Sequence, residues 1–247
     1  MIPVLKNAVI ELGYENKSGS ILYSGNETLR KGNFYFLGAN PGGHSDQSNS
    51  KYPDTILNQV LRKNSYPSFN EYFDGKWKRS GSRSSLPGHA LLQKRIKYLF
   101  TKLELDLRSI LSTNLVFVRS PTLNKFKLNF NEEAERCWKI HKILLKKVMP
   151  KFIIVYGSDA TRFICKKMKI QSQDYFQIPS ANEVKFFSHY KGILRIDSLE
   201  LEINLLSVPH LSRFKIDSMG VNYGDAYDSQ KAILWMKEII QNFDGRN

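Results

Sequence analysis

Four short apolar runs separated by long helical patterns constrain this chain more than any other feature. The runs lie at residues 33–38, 111–118, 152–157 and 201–208. Each is continuously apolar rather than alternating, which is typical of strands buried on both faces of a parallel sheet. The sequence therefore predicts an α/β fold, a three-layer α/β/α sandwich around a central, mostly parallel four-stranded sheet. Residues 193–196 are a candidate for an additional hairpin strand.

Helical patterns fill the intervals between the predicted strands. Residues 91–105 and 228–243 carry apolar side chains at helical spacing. Asn131 is a candidate N-cap, followed by two glutamates at the positive end of the helix dipole, and Pro150 ends that helix. Residues 43–87 are rich in Ser, Asn, Lys, Tyr and Gly, and we expect a long irregular insertion there. A chain of 247 residues is then one domain, 1–247, carrying this insertion.

The charge balance indicates a polyanionic partner. Thirty-seven Lys and Arg residues against 23 Asp and Glu residues give a net charge of +14. The excess is clustered: residues 75–103 hold eight basic residues and no acid, and residues 136–169 hold ten basic residues and one acid. Clustered cations suit a phosphate backbone, so we expect DNA as the partner. A basic surface that merely aids solubility is the alternative.

Composition excludes several classes of protein. Two cysteines, Cys137 and Cys165, are too few for a disulfide framework, a four-cysteine iron–sulfur cluster or a four-cysteine zinc site. No apolar run approaches the roughly 18 residues of a membrane span. The first residues show no basic segment followed by a long apolar stretch, as a secretory signal would. We therefore expect a cytoplasmic protein with no membrane partner.

Polar residues follow the predicted strands, where parallel sheets bind ligands. The first strand runs into Gly38-Ala39-Asn40-Pro41-Gly42-Gly43, which matches neither common nucleotide-phosphate motif. Asn114 lies inside the second predicted strand, where a polar amide is costly to bury without partners, and it would either read a nucleobase edge or bond a neighbouring loop. His210 follows the fourth strand, either to stabilise negative charge or to serve a structural role.

Together these segments resemble the uracil-DNA glycosylase superfamily. Three anchors occur in the family's order: GANPGG at 38–43, STNLVFVRSP at 112–121 and SVPHLSRF at 207–214. LPGHALLQKRIKYLF at 86–100 and PKFIIVYGSDATRF at 150–163 are similar to a family helix start and a family strand–helix unit. The resemblance implies a uracil-DNA glycosylase-like fold and a monofunctional DNA glycosylase, a hydrolase that flips a base out of DNA and leaves an abasic site.

The resemblance also implies roles for individual residues. Asn40 would orient the attacking water, Asn114 would bind the flipped base, and His210 would stabilise the negative charge of the departing base. The last motif is shifted, so that Ser207 competes with His210 for the family's histidine position; we prefer His210 because serine cannot supply positive charge. The base pocket would further include Gly38, Ala39, Pro41 and Gly42.

Further residues around this site have expected supporting roles. Leu211 and Phe214 are candidates for the wedge that fills the vacated base stack. Ser212, Arg213 and Lys215 would contact the DNA beside them. The family's stacking aromatic is missing near Leu86-Pro87, and its substitutes would be Tyr72, Phe73 or Trp77; His44 and Asp46 are candidates for assisting water activation.

We expect no metal, no cofactor and a monomer. The base would be uracil-like or a bulky hypermodified phage cytosine, and the role DNA repair or antiviral defence. Two alternatives stay open: a non-catalytic DNA-binding module of the same fold, and a metal-dependent nuclease using Pro53-Asp54 and Glu183-Val184-Lys185. A zinc nucleobase deaminase is disfavoured, because its H-x-E and P-C-x-x-C motifs are missing.

Overall fold

The computed structural model describes residues 1–42, 55–77, 86–120, 130–178, 185–216 and 223–244. Its helices are α1 Ile2–Glu11, α2 Ile56–Ser65, α3 Leu91–Lys102, α4 Phe130–Val148, α5 Ser158–Lys167 and α6 Tyr223–Asp244. Its strands are β1 Phe34–Gly38, β2 Leu111–Asn114, β3 Phe152–Tyr156, β4 Met168–Ile178, β5 Lys185–Ile196 and β6 Leu199–Val208.

The sheet confirms the α/β class and corrects the predicted number of strands. It has six strands in the order β2-β1-β3-β6-β5-β4. The four predicted strands pair in parallel, while β5 pairs antiparallel with both β6 and β4. The sheet is therefore mixed and six-stranded, not a mostly parallel four-stranded one. β4 escaped prediction because seven consecutive residues of this edge strand, 169–175, are exposed and several are polar, so it has no apolar run.

Helices cover both faces of the sheet, because alternate residues of each strand point to opposite sides. Tyr35 and Leu37 of β1 lie in one hydrophobic core, which also contains residues of α1, α4 and α5. Phe36 lies in a second core, which contains residues of α3 and α6. Asn114, which pairs with Gly38, is therefore carried on the α3 side together with Tyr156.

The predicted helices agree with the structure except at their boundaries, whereas α1 and a helix in the insertion were not predicted. α4 begins at Phe130, one residue before the predicted cap Asn131. The stretch 43–87, predicted as irregular, contains α2, whose N-cap Thr55 accepts a 3.2 Å hydrogen bond at Oγ1 from the Asn58 amide. Its polar composition hid a helix that buries only a few residues, including Ile56 and Val60. In the described ranges, no helix combines the length and hydropathy that a membrane crossing requires.

The two edges of the sheet are treated differently. β2 is covered by the segment 18–24: Leu22 bridges Thr113, and the Tyr23 amide donates to the Ser112 carbonyl at 2.8 Å. β4 forms the other edge, and among the described residues no further strand pairs with it. An unpaired edge of this length is a surface where another molecule can bind.

Candidate functional site

Three side-chain positions converge at the carboxyl edge of the parallel strands. Gly38 ends β1, Asn114 ends β2 and Tyr156 ends β3. A Cβ on Gly38 would lie 2.6 Å from Tyr156 Cζ and closer still to Tyr156 Oη and Asn114 Oδ1. Glycine is therefore required at position 38 so that the amide and the phenol can meet above the backbone. This convergence is the centre of the candidate site.

Asn114 is buried with an unsatisfied acceptor. Its exposure is 1%, and its Oδ1 has no hydrogen-bond partner among the described residues. A buried acceptor without a partner costs about 1–3 kcal/mol. In the described part of the chain, Asn114 Oδ1 does not form the hydrogen bond to a neighbouring loop that one of the two interpretations of this residue expects. An oxygen that accepts a hydrogen bond from a ligand, the other interpretation, is consistent with the geometry.

The loops after β1 and β2 are joined by a network in which Asn40 takes part. The Asn40 Nδ2 donates to the Pro41 carbonyl at 3.0 Å and to the Ser120 carbonyl at 3.4 Å. The Ser120 amide donates back to the Pro41 carbonyl at 3.0 Å, and Val116 N donates to Ala39 O at 2.9 Å. Arg119 Nη1 donates to the Gly42 carbonyl at 2.6 Å. With the Asn40 amide nitrogen held inward, its oxygen is the side-chain atom left to accept from a water.

His210 stands beside Tyr156. Their rings are 5.7 Å apart in an edge-to-face arrangement of 80°. Gly157 has a φ of +96°, which favours glycine, and a Cβ there would lie 3.2 Å from His210 Cδ2. Glycine at position 157 therefore lets the imidazole of His210 approach the loop after β3. His210 thus belongs to the same edge of the sheet as Asn114, with Tyr156 between them.

Hydrogen bonds at Nδ1 fix the tautomer of His210. The Ser212 amide donates to His210 Nδ1 at 3.3 Å, and Ser212 Oγ lies 2.8 Å from the same nitrogen. Nδ1 is then an acceptor, and the proton of the neutral ring sits on Nε2. Burial, followed by the positive charge of Arg213, lowers the pKa of His210 below its usual range. Near pH 7 the ring is therefore a neutral Nε2–H donor.

An aromatic cluster lines the α3 side of the site. We define it as Tyr23, Phe36, Tyr72, Trp77 and Tyr156. Ring centroids are 5.5 Å apart for Phe36 and Tyr156, 5.8 Å for Phe36 and Tyr72, and 5.8 Å for Tyr72 and Trp77. Tyr72 is fully buried, and its hydroxyl has no partner among the described residues. Burial raises the pKa of the phenols of Tyr72 and Tyr156, so both stay protonated donors.

Two of the three substitute stacking residues lie in this cluster. Tyr72 and Trp77 contact each other and Tyr23. Phe73 instead packs under the Arg108 guanidinium, 4.3 Å from its ring centroid. The sequence prediction that the segment after α2 supplies aromatics to the site therefore agrees with the positions of Tyr72 and Trp77 and not with that of Phe73.

No known family model and no curated protein sequence matches this chain. The geometry of the site is therefore the ground on which its function is inferred.

Two polar residues of α3 position the segments around the site. Gln93, fully buried, donates from Nε2 to the carbonyls of Glu71 and Gly75 at 2.6 and 2.8 Å. Arg95, also buried, donates from Nη1 to the Leu211 carbonyl at 2.8 Å. The helix thus ties the Tyr72–Trp77 segment and the His210 loop to one element. Arg95 belongs to the first basic cluster of the sequence, but the structure uses it internally.

The wedge prediction is corrected for both of its residues. Leu211 is fully buried and Phe214 nearly so, and both lie in the α3-side core. The ring of Phe214 packs 6.1 Å from that of Phe187. A wedge must be exposed to enter a base stack, whereas these apolar side chains stabilise the loop that carries His210. Ser212, Arg213 and Lys215 between and beside them are exposed, as DNA contacts would be.

The Ser207 side chain forms a hydrogen bond away from the candidate site. Its Oγ lies 2.7 Å from Thr161 Oγ1, and the Thr161 hydroxyl also contacts the Gly157 carbonyl at 3.0 Å. Ser207 therefore joins β6 to α5 in the protein interior. Of the two residues that compete for the family's histidine position, His210 is the one beside Tyr156.

The second basic cluster, residues 136–169, is partly neutralised by acidic side chains in the folded protein. Folding brings acids beside it: Lys142 and Lys146 pair with Asp197 at 2.8 and 2.5 Å. Lys167 pairs with Glu135 at 2.7 Å. By contrast, Arg213 and Lys215 form no ion pair within the described ranges, which leaves their charge available at the edge of the site.

Some predicted residues fall outside the described residues. His44 and Asp46, and the nuclease candidates Pro53-Asp54 and Glu183-Val184, lie there. Within the described residues, no group of His, Cys, Asp or Glu could hold a metal ion.

Sequence reasoning missed Tyr156 and Tyr23. The signal for Tyr156 was present, because it is the last residue of an apolar strand and stands before a glycine. A phenol at the carboxyl end of a parallel strand faces the region where such sheets bind ligands. Tyr23 gave no signal, since its neighbours in the cluster come from distant parts of the chain.

Proposed function

We propose that this protein is a DNA glycosylase of the uracil-DNA glycosylase type, which everts a base and hydrolyses its N-glycosidic bond. The observation that carries the proposal is the buried Asn114 Oδ1 above Gly38, which has no hydrogen-bond partner among the described residues, with Tyr156 between it and the His210 ring. An acceptor and a donor at the same edge of the sheet suit a planar heterocycle that carries both hydrogen-bond donors and acceptors.

Recognition of the base begins at Asn114. Its oxygen needs a donor, such as a ring N–H or an exocyclic amine of the everted base. The Tyr72 hydroxyl, which also has no partner in the part of the chain that the structure describes, needs an acceptor. A base that satisfies both groups removes two buried penalties at once, which offsets part of the few kcal/mol that unstacking costs. Trp77 and Tyr156 supply ring faces or edges against such a base.

Bond cleavage places negative charge on the departing base and positive charge on the sugar. The Nε2–H of His210 would donate to the base, and that hydrogen bond strengthens as charge develops. The Arg213 guanidinium, close enough to lower the pKa of His210, adds positive potential at the same place. The step thus proceeds with a neutral imidazole and without proton transfer from it.

The attacking water would be oriented by Asn40. Its amide nitrogen is engaged with Pro41 and Ser120, and its oxygen, which has no hydrogen-bond partner among the described residues, would accept a hydrogen bond from the water. The water oxygen would then bond to C1′ as the N-glycosidic bond breaks, and the proton that the water loses would pass through solvent to the departing base. No metal or diffusible cofactor enters these steps. The exposed Arg213 and Lys215 would contact flanking phosphates.

The substrate base is proposed as one of two: a uracil-like base or a bulky hypermodified phage cytosine. The two bases correspond to a role in DNA repair and a role in antiviral defence, in either case of a monomer in the cytoplasm. The aromatic cluster supports either base, since Tyr72 and Trp77 come from the segment between α2 and α3 rather than from the sheet.

Single-turnover base release tests the proposal. Uracil-containing DNA and glucosylated hydroxymethylcytosine phage DNA are incubated with excess protein, and abasic sites are scored. We expect release from one of them, and a loss of roughly a hundredfold or more in Asn40→Ala and His210→Ala.

Other outcomes would overturn it. DNA binding with no base released from either substrate indicates a non-catalytic binding module. Strand scission that requires a divalent metal and passes through no abasic site indicates a nuclease. Unchanged release in both variants with DNA binding intact removes the assigned roles of Asn40 and His210.

A further inference from the structure

Two exposed leucines stand at the start of α3. Leu86 is 66% exposed, the highest value for a large apolar side chain among the described residues, and Leu91 is 54% exposed. Both lie in the stretch 86–91, which leads into the helix. We define these two residues as the leucine pair. Single exposed leucines are common on protein surfaces, so the position and the surroundings of the pair decide what it does.

The turn that carries Leu86 is held against the candidate site. Two residues after Leu86, the Gly88 amide donates to the Gly75 carbonyl at 3.1 Å. Gly88 has a φ of +71°, and a Cβ there would lie 2.7 Å from the Phe73 carbonyl oxygen and 3.1 Å from that of Tyr72. Glycine at position 88 therefore lets the turn lie directly on the backbone of Tyr72, a member of the aromatic cluster. The turn thus presents Leu86 to solvent next to the candidate site.

Leu91 lies on the same side of α3 as Arg95, whose Nη1 donates to the Leu211 carbonyl at 2.8 Å. Side chains four residues apart share a helix face, with their Cβ atoms about 5–6 Å apart. Leu91 is therefore one turn nearer the start of α3 on the face that contacts the loop of His210. Because Leu211 follows the end of β6, the start of α3 stands at the carboxyl edge of the sheet. The leucine pair thus borders the candidate site between the aromatic cluster and the loop of His210.

The segment that holds the leucine pair is basic and contains no acid. Residues 75–103 include eight basic residues and no Asp or Glu. Lys76 and Lys94 are exposed and form no ion pair within the described ranges. Lys94 is three residues after Leu91 and therefore its neighbour on the helix surface. The local charge around the pair, and not only that of the whole chain, is positive.

The acids that flank this segment in the sequence have partners of their own. Asp74 pairs with Arg108 at 2.9 Å, and Glu104 pairs with Lys237 at 2.6 Å. They therefore leave the charge of the exposed lysines in place. Exposed apolar side chains framed by free cations suit double-stranded DNA, in which stacked bases lie between phosphates.

We propose that the leucine pair is the wedge that enters the DNA stack when a base is everted, while the exposed lysines beside it contact flanking phosphates. Proteins that distort a duplex insert apolar side chains, leucine among them, between base steps. Leu211 and Phe214 are buried, whereas the leucine pair has both the exposure and the position that a wedge requires. The inference rests on the proposed function, because an everted base leaves the gap that the wedge fills. It assigns the preferred substrate to double-stranded DNA.

Two duplexes of the same sequence, one intact and one with a tetrahydrofuran abasic analogue, test this proposal by fluorescence anisotropy. The analogue leaves a gap in the stack and has no N-glycosidic bond, so affinity is read without turnover. We expect the unaltered protein to prefer the gapped duplex, and Leu86→Ala combined with Leu91→Ala to reduce that preference by roughly tenfold or more. Binding of the intact duplex should stay within about twofold, because phosphate contacts dominate it.

Two single variants are the controls. Leu61→Ala removes an exposed leucine on α2 and should keep the preference for the gapped duplex. Lys94→Gln removes a charge beside Leu91 and should weaken binding of both duplexes by the same factor, because a phosphate contact does not depend on the gap.

The outcomes separate this inference from the proposed function. A protein that releases no base, yet prefers the gapped duplex through the leucine pair, contradicts only the glycosylase proposal. An unaltered protein with no such preference overturns the wedge, as does a preference that the double variant retains. Equal losses of base release from duplex and single-stranded DNA in the double variant also overturn it, since the leucines would then line the base pocket. A doubled mass in solution that the double variant abolishes overturns it too, since the pair would then hold a second copy.

Discussion

The side-chain oxygen of Asn114 occupies the space that a Cβ on Gly38 would fill. The two residues are paired in register across β1 and β2, so their side-chain directions coincide. The absent methyl group of Gly38 thus becomes room for the amide of its neighbour. This relationship joins a backbone requirement of the first motif to the residue of the second that we propose reads the base.

Gly38→Ala is expected to damage both the fold and the site. The new Cβ would clash with Asn114 and Tyr156, and crowding in a packed region costs about 1–3 kcal/mol. Denaturant unfolding would report this loss, and base release would fall even in folded protein. Gly42→Ala is the matched control, because a Cβ there meets no atom of the described residues within 4 Å. Equal stability of the two variants would contradict the packing described at Gly38.

Asn114→Ala is expected to separate function from stability. It removes an acceptor that has no partner among the described residues, so the free energy of unfolding should change by less than about 1 kcal/mol while base release drops roughly a hundredfold. Asn204→Ala is the control: Asn204 Oδ1 accepts from His189 Nε2 at 3.0 Å, and its loss should cost about 1 kcal/mol with release per folded molecule unchanged. A large destabilisation by Asn114→Ala alone would instead indicate a structural asparagine.

Arg213→Gln is expected to shift the acid limb of the pH profile upwards. Burial and the Arg213 charge lower the pKa of His210, so the neutral donor persists below pH 6.5. Removing the charge raises this pKa, and activity should then be lost at a higher pH during acidification. Single-turnover rates at saturating protein from pH 5 to 8 measure the shift. Lys215→Gln, a nearby exposed change, should leave the limb in place; an equal shift in both variants would point to DNA binding rather than His210.

His141 is expected to make stability fall in mild acid. The Tyr35 hydroxyl donates to Nδ1 at 2.8 Å, and Nε2 donates to the Leu115 carbonyl at 3.0 Å, which holds a neutral ring beneath the β2 loop. Burial lowers the pKa of His141 to about 4. Below pH 6.5 the imidazole is therefore protonated in the unfolded chain but stays neutral in the folded chain. The free energy of unfolding is expected to fall by roughly 3 kcal/mol between pH 6.5 and 4.

Denaturant midpoints across this pH range measure the effect. His141→Gln keeps a donor and an acceptor without titrating, so its stability should decline less steeply than that of the unaltered protein. Parallel declines in the two proteins would show that other groups govern the acid response.

Apolar pattern alone located β1, β2, β3 and β6, because strands buried on both faces are continuously apolar. β4 was invisible because an edge strand exposed to solvent needs no such run. α2 was missed because Thr55 caps a helix whose few buried residues lie within a polar stretch. Neither element could therefore be predicted from apolar pattern, because each buries few residues of its own.

The sequence by itself determined the α/β class and placed Gly38 at the end of the first predicted strand, Asn114 within the second and His210 after the fourth, since hydrophobic patterning locates buried strands. Only the tertiary structure decided that Tyr156 stands between the amide and the imidazole. It also decided that Leu211 and Phe214 are buried, and that Tyr175 and Phe186 are not. Such outcomes depend on contacts between residues far apart in the chain, and local pattern records which side chains are apolar but not which partner covers them.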